Sequence, residues 1–316
     1  MRFGLGSRDW GCGLSRLQSR PTSGRCILAN LPTLAERLRD AGYQTIGVCS
    51  NIFLYRPSSY GRGSQAWLEL GRTPRQESLP GGIELFALDL QDWQSRSAEH
   101  VHRELDAALG RRAPEQPLFL YVHYMDVHDY QKPRRSYADA VGTMDRFIGE
   151  LRVILERHGI LPNARVVLTS DHGERLEEPH AVPGRPAHGG NPSFNEVLRI
   201  PLIVRPSLFA DTSAPLRSDE IFTKILEVAG VAPRLPPPTL RPGELYLSES
   251  AYWTFRTEDW KLSLPRDGSD HLLFDLNDDD RELINVADER PDVADRLTQR
   301  LESLGYLDES NVSGRS

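Results

Sequence analysis

The chain has 316 residues, enough to bury a substantial core in one large or two modest domains, and a formal net charge of -7 at pH 7. This acidic balance, without a long Lys/Arg run, argues against nucleic-acid binding, and no apolar stretch approaches the roughly 20 residues of a membrane helix. Three cysteines, Cys12, Cys26 and Cys49, are too few for a disulfide scaffold. Because residues 1–13 lack the apolar core of a signal peptide, we expect a cytoplasmic location, unless the true amino terminus is missing.

Helix and strand patterns alternate through the first 232 residues, as in an α/β fold. In chain order they predict a helix at 33–41, a strand at 45–49, a helix at 97–109, a strand from 118, a helix at 137–158, a strand at 166–168, a strand-like run at 196–204 and a helix at 219–229. The helix at 137–158 should pack on the sheet through Val141, Met144, Ile148, Leu151 and Leu155. Residues 57–82 are expected to form a flexible loop.

Five prolines in residues 233–242 mark a boundary. After it the patterns predict short strands at 244–248, 261–264 and 272–276, a solvated acidic turn at 277–281 rather than an ion site, and a helix from Pro291 with Val293, Leu297, Leu301 and Leu304 on one face. We therefore expect a remodelled or truncated amino-terminal segment at 1–30, an α/β domain at 31–232, a Pro-rich linker at 233–243 and a carboxy-terminal subdomain at 244–316.

Polar residues follow the predicted strands at the positions where each strand ends. Asp171 and His172 come directly after the strand at 166–168 and precede Gly173. Ligands collect at the carboxyl ends of strands in open α/β sheets, and a carboxylate beside an imidazole suits a divalent metal ion. Alone, the pair is more typical of an ordinary turn than of a metal site, but His128 after the strand from 118 and His188 further on favour a site. His123 and His180 are expected to be ordinary histidines.

Several segments together resemble the sulfatases of the alkaline phosphatase superfamily, over Leu31 to about Leu304. They are residues 31–38 with 41–45, the helix carrying Met144 and Asp145, the Ser170-Asp171-His172-Gly173 turn, and Phe274-Asp275-Leu276 followed by Glu282, Asn285 and Ala287. The resemblance implies an alkaline-phosphatase-like sandwich, with a central, mostly parallel sheet flanked by helices and a small carboxy-terminal α+β subdomain. It also implies the hydrolysis of sulfate esters.

The resemblance also assigns roles to the candidate residues. Asp171 and His172 match the carboxy-terminal metal ligands of the family, with calcium the favoured ion and manganese or magnesium as alternatives. His128 matches the histidine that contacts the sulfate group, although Asp129 stands where a proline is usual, and His188 matches the residue that binds the ester and serves the leaving oxygen. The implied substrate is a sulfated small molecule or carbohydrate.

The amino-terminal segment departs from the family pattern. Cys12-Gly13-Leu14-Ser15-Arg16 is similar to the family's nucleophile motif, but Leu14 replaces its proline, and no Asp-Asp pair follows a strand before Thr33. With two of the metal ligands absent we expect weak metal binding, and without the first strand we expect self-association. Three hypotheses remain open: a sulfatase that has lost its amino-terminal strand, an inactive sulfatase-like binding protein, and a phosphoesterase of the same superfamily. The oligomeric state is also open.

Overall fold

A computed structural model describes most of the chain from Pro32 to Leu307. The described residues are 32–51, 54, 59–70, 72–79, 83–88, 97–131, 135–176, 180, 193–209, 216–233, 240–241, 243–248, 252–266, 268–305 and 307. They divide into two compact units, of which one ends at Arg165 and the other continues from Val166.

The first unit is built around a parallel sheet with β1 in the middle. Its elements are α1 (Leu34–Asp40), β1 (Gln44–Cys49), β2 (Ala66–Glu69), β3 (Arg72–Leu79), β4 (Ile83–Leu88), α2 (Ala98–Leu109), β5 (Leu118–His123) and α3 (Tyr137–Arg157). The order β2-β1-β5 is parallel throughout, so the carboxyl ends of all three strands lie at one edge. Thr33 begins α1 with a capping box, in which its hydroxyl accepts from the Glu36 amide and its own amide donates to the Glu36 carboxylate.

Two helices cover this sheet with apolar side chains. The core joins β1, α2 and α3 through Ile46, Val48, Leu70, Val101, Leu105, Ala108, Leu109 and Leu155. The packing of the helix at 137–158 on the sheet is therefore confirmed, but its predicted face is partly wrong. Val141 is 44% exposed, whereas Ala140 and Phe147 are buried, so the helix is rotated towards Phe147.

The segment expected to be a flexible loop contains regular structure, so that prediction is wrong for part of residues 57–82. β2 pairs in parallel with β1, and β3 forms an antiparallel hairpin with β4. Sequence patterns missed β3 because Pro74 and several polar residues interrupt any apolar alternation.

The second unit begins with an antiparallel strand pair. Its elements are β6 (Val166–Thr169), α4 (Asn195–Leu198), β7 (Leu202–Arg205), α5 (Ser218–Val228), β8 (Leu245–Ser248), β9 (Tyr252–Arg256), β10 (Trp260–Pro265), β11 (Leu272–Asp275) and α6 (Pro291–Ser303). β6 and β7 run from Val166 opposite Arg205 to Thr169 opposite Leu202. The strand-like run at 196–204 is thus half wrong, since its first residues form the short helix α4 and only its end forms β7.

The carboxy-terminal part is an antiparallel sheet covered by one helix, as the sequence indicates. The strand order is β11-β10-β9-β8, and β9 is the strand that the pattern missed. α6 packs on the sheet in one core made of Tyr246, Phe255, Leu262, Leu264, Leu273, Val293, Ala294, Leu297 and Leu301. Residues 277–281 form the expected solvated turn. No described helix combines the length and apolar character needed to cross a membrane.

Candidate active site

The turn after β6 is held in place by the backbone of α4. The amide of Gly173 donates to the carbonyl of Val197 at 2.7 Å. A Cβ on Gly173 would overlap the carbonyl oxygen of Glu196 and lie 3.1 Å from that of Arg199. Only glycine therefore lets the chain approach α4 this closely, which fixes the two residues before it, Asp171 and His172.

The orientation of His172 suits a metal ligand. Its Nδ1 lies 2.8 Å from the carbonyl oxygen of Gly173, which can only accept, so Nδ1 carries the proton and the lone pair is on Nε2. Nε2 lies 3.9 Å from Oδ1 of Asp171. Two donors that each sit about 2.0–2.5 Å from one divalent ion can be this far apart. A ring nitrogen fixed by a backbone carbonyl is also the usual way in which proteins orient a ligating histidine.

The donor set fits a divalent ion as one part of a larger site. The side chain of Asp171 is 73% exposed, so its carboxylate is accessible, and Oδ1 accepts from the amide of His172 at 3.1 Å. Within the described residues, no group of three or more His, Cys, Asp or Glu side chains could hold a metal. Asp171 and His172 would therefore supply two ligands and need others.

The turn after β5 places His128 beside a buried carboxylate. Nδ1 of His128 lies 3.2 Å from Oδ1 of Asp129, whose side chain is 6% exposed, while the His128 ring is 44% exposed. The Asp129 amide donates to the Met125 carbonyl at 2.9 Å, which closes the turn. The carboxylate of Asp129 can accept a hydrogen bond from Nδ1 of His128, which orients the ring.

A second buried acid in the turn after β5, Asp126, connects this turn to the start of α2. Its Oδ1 accepts the amide of Ala98, the first residue of α2, at 3.2 Å. Its Oδ2 is buried and makes no hydrogen bond in the described structure. Burial raises the pKa of Asp126 above its usual value, although the Ala98 amide opposes the rise.

The sequence-based candidates divide between the units and the undescribed segments. His128 belongs to the unit that ends at Arg165, and Asp171 and His172 to the unit from Val166. His188 and Cys12 lie outside the described residues. Cys49 is buried at the end of β1, and burial raises the pKa of its thiol to about 12, so it is a core residue and not a nucleophile.

His180 and His123 make the ordinary contacts that were expected of them. Nδ1 of His180 lies 2.7 Å from Oε1 of Glu196 and Nε2 lies 2.9 Å from the carbonyl oxygen of Glu282. The ring stacks on Phe194 with the centroids 3.6 Å apart. His123 ends β5 with its ring tilted against Tyr121.

Sequence reasoning missed the residues that support these turns. Asp129 was noted only as the replacement of a proline, Gly173 only as part of a turn, and Lys261 only as the start of a strand. Buried polar partners give no periodic signal. Glu282, whose carbonyl lies beside His180, could have been found from the sequence, since it lies in the carboxy-terminal segment that resembles the family.

Comparison with known proteins identifies the sequence relationship. Residues 12–231 match a family model described as Sulfatase, and this match includes Cys12 and His188. The chain is 27% identical over 209 residues to arylsulfatase J of Mus musculus, which covers 57% of this chain and 33% of that protein. The chain spans about a quarter to a third of the length of the curated relatives it matches.

Solved structures share the fold. One, described in complex with its substrate D-glucosamine-2-N,6-O-disulfate, has a TM-score of 0.66 and 16% identity, over 99% of this chain and 88% of that one. Another, a phosphonate monoester hydrolase of Agrobacterium radiobacter, has a TM-score of 0.62 and 15% identity, over 90% and 82%. The expected α/β architecture, alkaline-phosphatase-like with a parallel sheet and helices, is confirmed.

Proposed function

The chain belongs to the sulfatase family, and we propose on this basis that it is a metal-assisted hydrolase of sulfate esters. The observation that carries the proposal is the turn after β6. Gly173 docks this turn on α4, and the carbonyl of Gly173 fixes the His172 ring with the lone pair on Nε2, 3.9 Å from the Asp171 carboxylate. This is the arrangement that two adjacent ligands of one divalent ion require.

The family generally depends on a metal ion, and we propose calcium, with manganese or magnesium as alternatives. When bound, the ion would offset the negative charge that gathers on the ester oxygens. Asp171 and His172 would hold it. His128, oriented by Asp129, would donate a hydrogen bond to a sulfate oxygen, and its half-exposed ring supports this role. His188 is proposed as the group that binds the ester and protonates the leaving oxygen.

We propose a sulfated carbohydrate as the substrate class. One structural neighbour is described with D-glucosamine-2-N,6-O-disulfate, a second with a neocarrahexaose, and a third as a 2-O GAG sulfatase. These are properties of those proteins, and the low identities carry only the fold to this chain. The shared fold and the family membership nevertheless make sulfated sugars the class to assay for specificity, after turnover has been tested with an aryl sulfate.

The test is hydrolysis of an aryl sulfate by the purified full chain with added calcium or manganese. Asp171→Ala should lower the rate by more than the roughly 10–100-fold typical of losing an outer-shell partner of a metal ligand. Asp278→Ala, which removes the same charge from an exposed turn, should leave the rate unchanged. A folded chain that binds sulfated sugars without any turnover would instead support the inactive binding protein.

A second candidate activity is phosphoester hydrolysis, which is favoured by the likeness to a phosphonate monoester hydrolase. The same ligands and histidines would serve either ester, because both present anionic oxygens to the metal. Rates on matched aryl sulfate and aryl phosphate esters decide between them. Sulfate turnover at least about tenfold faster, a difference of about 1.4 kcal/mol in barrier height, would assign the chain to sulfate esters.

A further inference from the structure

The position of the turn that carries Asp171 and His172 depends on the position of α4, which Gly173 contacts. Gly173 touches α4 through its backbone alone, by the 2.7 Å hydrogen bond to Val197 and the close approach to Glu196. α4 has only four residues, and its N-cap residue Phe194 makes no side-chain capping bond. A single helical turn is not stable by itself, so its position must come from other contacts.

Those contacts come from the carboxy-terminal part of the chain. The amide of Asn195, the first residue of α4, donates to Oε2 of Glu282 at 2.8 Å. The side-chain oxygen of Asn195 accepts from Nζ of Lys261, on β10, at 3.0 Å. Lys261 also forms an ion pair with Oε1 of Glu282. Three residues thus form a closed triangle of hydrogen bonds, in which both oxygens of one carboxylate are used.

A second connection joins α4 to Glu282, through the ring of His180. His180 bridges the carboxylate of Glu196, on α4, and the carbonyl of Glu282. The ring therefore links α4 to the carboxy-terminal part of the chain. Glu282 has a φ of 59°, in the left-handed region that costs a residue with a side chain free energy. This conformation is retained where the carboxylate of Glu282 accepts from the Asn195 amide on α4 and its carbonyl lies beside Nε2 of His180.

Because the triangle is buried, we expect it to fix the position of α4 more than it stabilises the fold. The side chains of Lys261 and Glu282 are each 1% exposed. Desolvation of two charges commonly costs more than their attraction returns, and apolar residues of the same volume often give an equally stable fold. A buried ion pair is therefore better explained by the one arrangement that it imposes, which here is the position of Asn195. Burial lowers the pKa of Lys261 to about 8, so the ammonium persists at neutral pH.

We propose that Lys261 and Glu282 are positioning residues, which set the place of the Asp171–His172 turn through Asn195 and α4. The inference rests on the proposed function, because the turn matters as a metal site. The carboxy-terminal sheet then helps to orient the proposed ligands, because Lys261 on β10 acts on them through Asn195 and α4. Removing the triangle should weaken metal binding more than it weakens folding.

The experiment compares the full chain with Lys261→Met/Glu282→Met. Manganese alone is the probe, with its Kd measured by titration calorimetry, and the free energy of unfolding is measured in parallel. We expect manganese affinity to fall by about tenfold or more, the range for outer-shell partners of metal ligands, while the fold persists. Glu282→Asp, which keeps the carboxylate, should recover part of the affinity.

The matched control is Glu244→Gln. Glu244 is also buried and pairs through both oxygens with Arg300, at 3.2 and 2.9 Å, in the same sheet-and-helix region. This variant should lower stability without changing the affinity for manganese. A folded double variant that binds manganese within twofold of the parent would overturn the proposal, and so would a control that loses affinity in the same proportion.

Hydrogen exchange of the Gly173 amide decides the matter independently of metal. This amide should exchange faster in Glu282→Gln, whose single side-chain oxygen cannot accept from both the Asn195 amide and Nζ of Lys261, while the amides of β10 and β11 keep their protection. Unchanged protection at Gly173 would refute the positioning role, even if the double variant fails to fold. If the parent binds no manganese, the metal-assisted function fails, but this exchange measurement still tests whether the triangle places the turn.

Discussion

The turns after β5 and β6 carry the candidate site residues, yet they are held by different means. The turn after β6 depends on backbone, because Gly173 bonds to Val197 and leaves no space for a side chain. The turn after β5 depends on acidic side chains, because Asp126 holds the start of α2 and Asp129 holds His128. Each unit of the chain supplies one of the two turns.

The difference indicates what each turn is built to tolerate. Hydrogen bonds between backbone groups do not change with pH in the ordinary range, so the contact of Gly173 with α4 should keep its geometry, although α4 itself is held by the charged Lys261–Glu282 pair. Carboxylates respond to pH, so the His128 turn couples its structure to its charge. The contact that holds the Asp171–His172 turn is thus sensitive to added volume at Gly173, and the turn that carries His128 is sensitive to the ionisation of Asp126.

The largest effect should come from Gly173→Ala. The added methyl overlaps the Glu196 carbonyl, and since backbone must move, the loss of unfolding free energy should reach the upper end of the range of about 1–3 kcal/mol for overpacking. Chemical denaturation measures it. Gly142→Ala on α3 is the matched control, since nothing lies within 4 Å of its added methyl, and it should stabilise the chain by about 0.5–1 kcal/mol. Equal stabilities of the two variants would contradict the backbone account.

Asp126→Ala should have the next largest effect. It leaves the buried amide of Ala98 without its acceptor, which costs about 1–3 kcal/mol of unfolding free energy. Asp126→Asn keeps an oxygen in place and should cost much less at neutral pH. If both variants are equally stable, the carboxylate does not hold the start of α2.

The pH dependence of Asp126→Asn tests the ionisation account. Because burial raises the pKa of Asp126, the folded chain binds the proton more tightly than the unfolded chain. Asp126 therefore stabilises the fold below its unfolded pKa, and this contribution is lost as the pH rises through the raised folded pKa. Relative to the parent, the asparagine variant should gain stability over that window and lose the gain on acidification. A difference that does not vary with pH would contradict this account.

The smallest effect on stability should come from Asp171→Asn. The side chain is 73% exposed and accepts a hydrogen bond from the next amide, so the free energy of unfolding should change by less than about 0.5 kcal/mol. Manganese binding, followed by calorimetry, should nevertheless be weakened strongly. A large loss of stability would mean that the carboxylate, and not Gly173, shapes the turn.

The sequence was sufficient for the elements that have a period or a capping signal. The helix from Pro291, the helix begun by Thr33 and the strand before Asp171 all lie where they were expected, because one apolar face decides each of them. The hairpin of β3 and β4 was missed, because polar residues and a proline interrupt its apolar pattern. The helix α4 was missed, because only tertiary contacts stabilise a helix of four residues. Asp171 and His172 were found from their position after a strand. Lys261, Glu282 and Asn195 were not found as a group, because their pairing joins distant parts of the chain and leaves no local pattern.

The distance along the chain between these partners also sets an order of events during synthesis. Asn195 lies 87 residues before Glu282 and 66 before Lys261. In a growing chain the Asp171–His172 turn and α4 are synthesised well before Lys261 and Glu282, which hold α4, leave the ribosome. Domains fold in the order in which they emerge, and contacts over long separations form late. The candidate ligands should therefore reach their final arrangement only after Glu282 has left the ribosome, and a shorter nascent chain should bind a metal ion more weakly.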